Sequence, residues 1–372
     1  MSTINSLLKD IRKNTGSTSF KESKYGQISN YIDTGVLALN RIISGDIYNG
    51  IPSGKVILLA GESQTGKSVL AAQLTAQALK QNYDHIFYFD SEGGALESFF
   101  ANFGCDTTKI EHILLESVED ATVQILAVYK KIMDYKAESD ENNKSRFLMV
   151  LDSLGALVQT KLLTDAENGK QASDMGGRAK LVGSLMKALT IPAIKTDTSI
   201  IVINHVMDQI GVLHPSKIKM QSGGKGLQYV STVTVQCTRT LEKDENAESE
   251  SDYKGSTLKF FTTKNRICKP FYEAQMYIDF SKGITKYDGL VDAAIKYGYI
   301  IQTGGFYSVP SYSDKKIRLK DILTKDEIWN TFLNDFNEKS KKDMQYSNTT
   351  EMLKLNEELE EPMAEVEAKE AE

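Results

Sequence analysis

The chain is predicted to be an α/β protein with a mostly parallel central sheet, and three features of the sequence predict it. Four short apolar runs, at residues 55–60, 85–90, 146–152 and 199–204, alternate with stretches rich in helix formers. Strands covered on both faces by intervening helices read in this way. The first run leads into Gly61-Glu62-Ser63-Gln64-Thr65-Gly66-Lys67-Ser68, a complete G-x-x-x-x-G-K-S/T loop, and Val69 to Leu74 behind it favour a helix. A strand, that loop and a helix in this order form a phosphate-binding unit. Finally, apolar runs at 232–238, 258–264 and 274–280 succeed one another with no helix between them, as a meander does.

Taken in order, the elements divide the chain into four parts. Residues 1–30 hold Ile4, Leu7, Leu8 and Ile11 at the i, i+3, i+4, i+7 spacing of an amphipathic helix, followed by a polar linker over 14–24. Such a helix either packs on its own domain or docks as an arm on a neighbouring subunit, and the polar linker favours the arm. Residues 31–287 form the nucleotide-binding core. Within it, polar loops are expected at 160–177, at 206–225 and as an exposed hairpin loop at 242–254. Residues 288–345 form a small α+β domain with a helix over 290–297, a hairpin over 299–308 around Gly304-Gly305, and a helix carrying Trp329, Phe332 and Phe336. Residues 346–372 are an acidic, disordered tail. No internal repeat is present.

Bulk properties narrow the function. A length of 372 residues, 41% hydrophobic and 25% charged, is ordinary for a soluble globular protein. No apolar run reaches the ~18 residues of a membrane helix, and the N-terminus lacks a signal-peptide core. The protein is therefore expected in the cytoplasm, with no membrane partner. Cys105, Cys237 and Cys268 are far apart without a C-x-x-C pair, which fits reduced thiols and argues against a disulfide framework or zinc site. His85, His112, His205 and His214 show no metal-ligand spacing. The net charge is −6, but nine Glu and two Lys in residues 351–372 account for it, so the remainder is close to neutral. A near-neutral body with local basic loops is compatible with DNA, and the tail either competes for those loops or simply solubilises the chain.

The phosphate loop implies ATP. Gly61 and Gly66 let the backbone turn its N–H groups inward on a polyphosphate, with Glu62, Ser63, Gln64 and Thr65 between them, and the helix N-terminus adds positive potential. Lys67 is placed to reach the β- and γ-phosphates, and the Ser68 hydroxyl to bind Mg²⁺. Asp152 ends the 146–152 run, where a carboxylate holds the same Mg²⁺ through water, although a helix cap beside Ser153 reads identically. Glu92, after Asp90-Ser91, is placed to orient and deprotonate an attacking water, or else caps the helix starting near Ala95. His205 follows the 199–204 run as a polar tip on the same sheet edge. It opens the 206–225 loop, which carries Lys217, Lys219 and Lys225 with Gly223-Gly224 and is longer than structureless loops normally are.

Together with Asp33-Thr34-Gly35, Gly50-Ile51-Pro52-Ser53-Gly54, Ile203-Asn204-His205 and the run Ser222 to Leu227, these motifs resemble RecA-type homologous recombinases. Within them the sequence is most similar to the bacteriophage UvsX-like branch. The resemblance spans about residues 31 to 310 and implies a RecA-like P-loop core. It implies that Glu92 is the catalytic glutamate, that Phe99 stacks on adenine, and that His205 replaces a glutamine that senses the γ-phosphate. It assigns 160–177 and 206–225 to two DNA-binding loops, with Met175 and Arg178 ending the first and Ile210 wedging between bases from the second. It makes Lys264 and Arg266 a basic pair reaching the γ-phosphate held by an adjacent subunit, with Tyr229 at that interface. The implied activity is single-stranded-DNA-dependent ATP hydrolysis with Mg²⁺, by helical filaments that pair with homologous duplex DNA and exchange strands in recombination, repair and recombination-dependent replication. The implied partners are other copies of the chain, single-strand-binding proteins and mediator proteins, and the implied location is the host cytoplasm if the origin is a bacteriophage. A RecA-fold hexameric helicase or DNA motor shares the same core, and a non-catalytic ATP-binding adaptor shares the loop alone.

Overall fold

The computed structural model describes residues 2–139, 144–170, 176–207, 219–223, 226–243, 253–279, 283–284 and 286–346. Met175, Ile210, Lys217, Lys225 and the acidic tail lie outside the described residues.

The strand β1 (Val56–Gly61) is buried at all six positions, as an unbroken apolar run requires of a strand covered on both faces. It sits centrally in a ten-stranded sheet with β2 (His85–Asp90), β3 (Ile110–Leu114), β4 (Phe147–Asp152), β5 (Ser199–Met207), β6 (Met220–Gln221), β7 (Val233–Lys243), β8 (Tyr253–Asn265), β9 (Glu273–Asp279) and β10 (Gly283–Ile284). The order is β10-β9-β8-β7-β1-β5-β4-β2-β3, with β6 pairing β5 off that path. From β7 to β3 the neighbours are parallel, whereas β8, β9 and β10 continue antiparallel from β7. The expected α/β class, with its parallel core and trailing meander, is the observed one.

Side chains of β1 alternate between two cores, as a period of two dictates. Val56 and Leu58 pack with helices α5 (Val118–Glu138) and α7 (Gly177–Thr196). Ile57 and Leu59 face the opposite cluster, which includes α2 (Leu37–Ser44) and α3 (Lys67–Lys80). Trp329 and Phe336 of the C-terminal segment belong to this second cluster. Arg41 fastens that segment further, donating to the Ser340 hydroxyl at 2.8 Å and the Tyr297 hydroxyl at 2.9 Å.

Several elements differ from expectation. Strand β3 was not anticipated, because Ile-Glu-His-Ile-Leu at the sheet edge is only half covered and carries no apolar run. Residues 160–177 were expected to be loop throughout, yet Thr160–Glu167 forms a helix, α6. Its apolar positions, Leu162, Leu163 and Ala166, span little more than one turn, too short for the periodicity by which helices are read, and none of its residues is buried. The single helix expected around Trp329 is two, Asp326–Asn330 and Leu333–Met344. The hairpin over 299–308 gains a third strand, Ser313–Ile317. The N-terminal helix α1 (Ser2–Thr15) forms as expected, but Ile4, Leu7, Leu8 and Ile11 are all exposed, Ile4 by 66%.

Trp329 is fully buried, stacks on Tyr287 at 4.8 Å between ring centroids, and donates its indole N–H to the Ile322 carbonyl at 2.7 Å. Trp329→Ala is expected to lower unfolding free energy by about 3–5 kcal/mol. Urea denaturation followed by circular dichroism measures this, since the variant lacks the chain's single tryptophan.

Candidate active site

At the end of β1 the backbone reverses through Gln64 and Gly66, both in the left-handed region with φ of 62° and 82°. The cradle is closed from behind. A Cβ on Gly66 would lie 2.7 Å from Leu258, and one on Gly61 would lie 2.5 Å from the Thr65 hydroxyl. Lys67, the first residue of α3, is buried, and its ammonium donates to the Gly61 carbonyl at 3.0 Å and the Glu62 carbonyl at 2.5 Å. Burial pushes this ammonium below the ordinary lysine pKa.

Parallel pairing brings the remaining groups to the same edge. Gly61 pairs with His205 across β1 and β5, and Asp90 with Asp152 across β2 and β4. Asp152 accepts from the Tyr88 hydroxyl at 2.7 Å and is hydrogen-bonded to the Ser68 hydroxyl. Burial raises its pKa above the usual carboxylate value. Ser68 and Asp152 thus present adjacent hard oxygens. Among the described residues no group of three or more His, Cys, Asp or Glu gathers to hold a metal. Ser68 and Asp152 are the protein oxygens that would hold Mg²⁺, which takes its remaining ligands from water and phosphate.

Glu92 faces Asp152 across a cavity of about 260 Å³ lined by Lys67, Ser68, Glu92, Asp152, His205 and Arg239, among others. The Ser153 hydroxyl donates to Glu92 Oε1 at 2.5 Å, and His205 Nε2 lies 3.2 Å from the same oxygen. The Ser153 bond, ahead of the His205 contact, holds the Glu92 pKa below its usual value, so the carboxylate is ionised. His205 is itself confined: a Cβ on Gly155 would meet its Cδ2 at 2.5 Å. A second cavity of about 630 Å³ adjoins Gly66 and is bounded by Val69, Phe103, Arg239 and Ile278. Phe99, expected to stack on adenine, lines neither cavity and meets Phe103 edge-on at 5.2 Å.

Of the residues expected at DNA, two are described and both engage the protein itself. The Lys219 ammonium pairs with Glu62 of the phosphate loop, and its backbone N–H donates to the Gln236 side chain at 2.9 Å. Arg178 donates to the carbonyls of Leu154, Gly155 and Leu157 and to the Ser222 hydroxyl, at 2.6–3.2 Å. It therefore braces the end of β4 against the base of the 206–225 loop. That base is clamped where β6 pairs antiparallel with Val206-Met207, directly beyond His205.

Lys264 and Arg266 sit elsewhere. Lys264 pairs with Thr234, and Thr234 with Leu58, whereas the phosphate loop leaves β1 at Gly61 beside Cys237. The pair is thus offset toward the opposite end of the sheet from the loop of its own chain. Lys264 donates to the carbonyls of Tyr229 at 3.0 Å and Ser231 at 2.7 Å, and Arg266 to Tyr229 at 2.8 Å. Burial, followed by the neighbouring Arg266 charge, pushes the Lys264 ammonium down to about 8. Tyr229 between them is 71% exposed.

Sequence reasoning missed four contributors. Asp90 and Ser153 were in view beside Glu92 and Asp152 but were given no role, so proximity alone was a usable signal, whereas Tyr88, four positions before Glu92, carried none. Arg239 donates to the Gln64 carbonyl at 3.2 Å, but no local pattern marks it, because the pairing of β7 with β1 carries it there.

Residues 2–285 match the RecA N-terminal domain. Protein RecA of Malacoplasma penetrans is 28% identical over 300 residues, covering 81% of this chain and 84% of that protein. Protein RecA of Aquifex aeolicus is 29% identical over 286 residues, covering 77% and 75%. That of a Nitratiruptor species is 30% identical over 289 residues, covering 77% and 76%. With the phosphate loop, the strand-end carboxylates and the sheet order already in place, these matches make the chain a member of the RecA family.

Proposed function

We propose that the protein is a single-stranded-DNA-dependent ATPase of the bacteriophage UvsX-like branch, acting in the cytoplasm of the host. It assembles as a helical filament on single-stranded DNA, pairs it with homologous duplex and exchanges strands, working with single-strand-binding and mediator proteins. One observation carries this reading: Lys67, Ser68, Glu92, Asp152 and His205 gather at one end of the sheet, while Lys264 and Arg266 lie offset toward the other. The cations therefore serve the loop of a neighbouring copy. Hydrolysis is complete only when copies stack, because charge developing on the γ-phosphate needs cations from outside the chain.

In this reading Gly61 to Ser68 bind the ATP phosphates, and the base and ribose extend into the cavity beside Phe103. Ser68 and Asp152 hold Mg²⁺, which supplies neutralising charge to the phosphate oxygens. Glu92 orients the attacking water, and its ionised carboxylate is free to accept the proton. His205 senses the γ-phosphate and transmits its presence along β5 to the 206–225 loop. Met175, Arg178, Ile210, Lys217, Lys219 and Lys225 contact DNA. For Lys219 and Arg178 this role requires exchange of their present partners within the chain for backbone phosphates. The exposed stripe of α1 supports the arm reading. It has a match in the open apolar groove lined by Phe87, Val128, Ile132, Tyr135 and Phe147, on which the arm of a second copy docks. Among the described residues no helix is long and apolar enough to cross a membrane. The hexameric motor is not favoured, since the relatives matched are RecA proteins.

Lys264→Ala is expected to abolish DNA-stimulated turnover, on the order of 10³-fold for a cation completed in trans, while ATP binding to the isolated chain stays near wild type. Turnover assays with and without single-stranded DNA, beside nucleotide titration, check this; retained stimulation rejects the reading. Because Lys264 titrates near 8 in the single chain, its positive charge is present below that pH and lost above it. DNA-stimulated turnover should accordingly fall between pH 7.5 and 9.5 in wild type and stay flatter in Lys264→Arg, whose guanidinium keeps its charge. Superimposable profiles would remove this titration from the account. Leu7→Glu with Ile11→Glu should leave the fold intact yet prevent filaments on single-stranded DNA, as seen by negative-stain electron microscopy with a non-hydrolysable ATP analogue.

A further inference from the structure

Asp90 lies at the end of β2 with its side chain 3% exposed, and its carboxylate organises the segment that carries Glu92. Oδ1 accepts from the backbone N–H of Glu92 at 2.9 Å and Gly93 at 2.8 Å, and Oδ2 accepts from Ala95 N–H at 3.0 Å. These three donors all belong to the loop being held. A fourth comes from a different element: His112 Nε2, on the adjacent strand β3, lies 3.1 Å from Oδ2. Its place is set by parallel pairing, which puts His112 beside Tyr88, and Tyr88 in turn donates to Asp152.

The geometry points to His112 as a positioning residue for hydrolysis, one that fixes the Asp90 carboxylate and through it the loop holding Glu92 over the phosphate site. The inference rests on Glu92 being the group that orients water. An ionised carboxylate only accepts, so His112 contributes its Nε2–H, and the tautomer is set by the partner. The carboxyl torsion of an aspartate is broad and roughly two-fold. Three bonds to the loop alone do not tie that torsion to a neighbouring strand, whereas a donor anchored on β3 does. When His112 is removed, the Asp90 carboxylate turns and its bonds to Glu92, Gly93 and Ala95 loosen; Ser91 stays tied to β4, and Glu92 beyond it leaves its bonds with Ser153 and His205. Misplacement of a reacting group by about 1 Å costs on the order of 10²-fold in rate. His112 touches neither the phosphate loop nor the lining of the cavity beside it, so ATP affinity is spared.

The test measures DNA-stimulated kcat and KM for ATP with the full chain. His112→Leu keeps bulk without a donor, and His112→Gln keeps a donor at similar reach. The expected result is a kcat at least tenfold lower for His112→Leu with KM within twofold, and recovery to within threefold of wild type for His112→Gln. In a Glu92→Gln background, adding His112→Leu should change nothing further, because the histidine acts only through the glutamate. The proposal is overturned by wild-type kcat in His112→Leu, by equal loss in His112→Gln, or by an additive loss in the double variant. If His112→Leu does not fold, His112→Asn, whose amide is too short to reach Asp90, takes its place and is judged identically. Full turnover in Glu92→Gln alone would instead refute the assignment of Glu92, so the two failures are distinguishable.

Discussion

The site depends on one constraint, the parallel register of the central strands. Because β1, β5, β4 and β2 run the same way, each ends where its neighbour ends, and the segments leaving their carboxyl ends converge on one edge. Gly61 lies against His205, and Asp90 against Asp152. The connection is then cross-tied. Ser91 N–H donates to the Asp152 carbonyl at 2.9 Å, and the Ser91 hydroxyl to the Ser153 carbonyl at 2.6 Å. A slip of one residue in any of these pairs would turn the candidate side chain at its end to the wrong face of the sheet. The buried apolar runs that make the strands hydrophobic on both sides also set the candidate site to within a residue.

This arrangement gives neighbouring carboxylates different tasks. Asp152 is half-buried, and the loss of water around it raises its pKa even though the Tyr88 and Ser68 hydroxyls bond to it. Glu92 is half exposed, takes a short bond from Ser153, and stays ionised. Groups whose surroundings push their proton affinities apart commonly divide the work of a site. Under the proposed reading one serves the metal and the other the water. Lys67 is held by the same logic in reverse, its burial offset by the carboxylates and carbonyls around it. Arg239, lining both cavities, and Lys219, paired with Glu62, add further positive charge at this end of the sheet.

Much of this was legible because β1, β2, β4 and β5 announce themselves as apolar runs and their ends carry motif residues. The phosphate loop, Asp152, Glu92 and His205 stand at those ends in the sequence, and the structure brings them to one sheet edge. Strand β3 was not, since an edge strand that is half wet has no distinctive composition, and with it went the meaning of His112. Helix α6 was lost for another reason: eight residues with apolar positions only at Leu162, Leu163 and Ala166 are too few for a periodic signal. Arg239 was invisible because only pairing between β7 and β1, distant in sequence, brings it to Gln64. The internal bonds of Lys219 and Arg178 were equally hidden, because a basic residue in a long loop reads as free until the carbonyls around it are known.

The chain is unfinished, under the proposed reading, at two separate places, and their positions restrict how copies combine. Under the proposed reading the nucleotide lies at one end of the sheet and its trans cations are displaced toward the other, while the arm α1 and the groove beside Phe87 and Phe147 form a second complementary pair. Neither surface is its own complement. Two-fold dimers need a self-complementary patch, so association here is heterologous, head to tail, and every added copy presents a fresh free end. Such contacts close into a ring only if the rotation per copy divides a full turn; otherwise they grow as a helix. The arm is joined to the core by a segment over 16–30 with little secondary structure, so it tolerates a range of rotations without release. The rigid contact at Tyr229, Lys264 and Arg266 then selects among those rotations through the nucleotide it grips. Assembly and the nucleotide state are thereby the same variable, read once by the arm, which holds on regardless, and once by the cations, which do not.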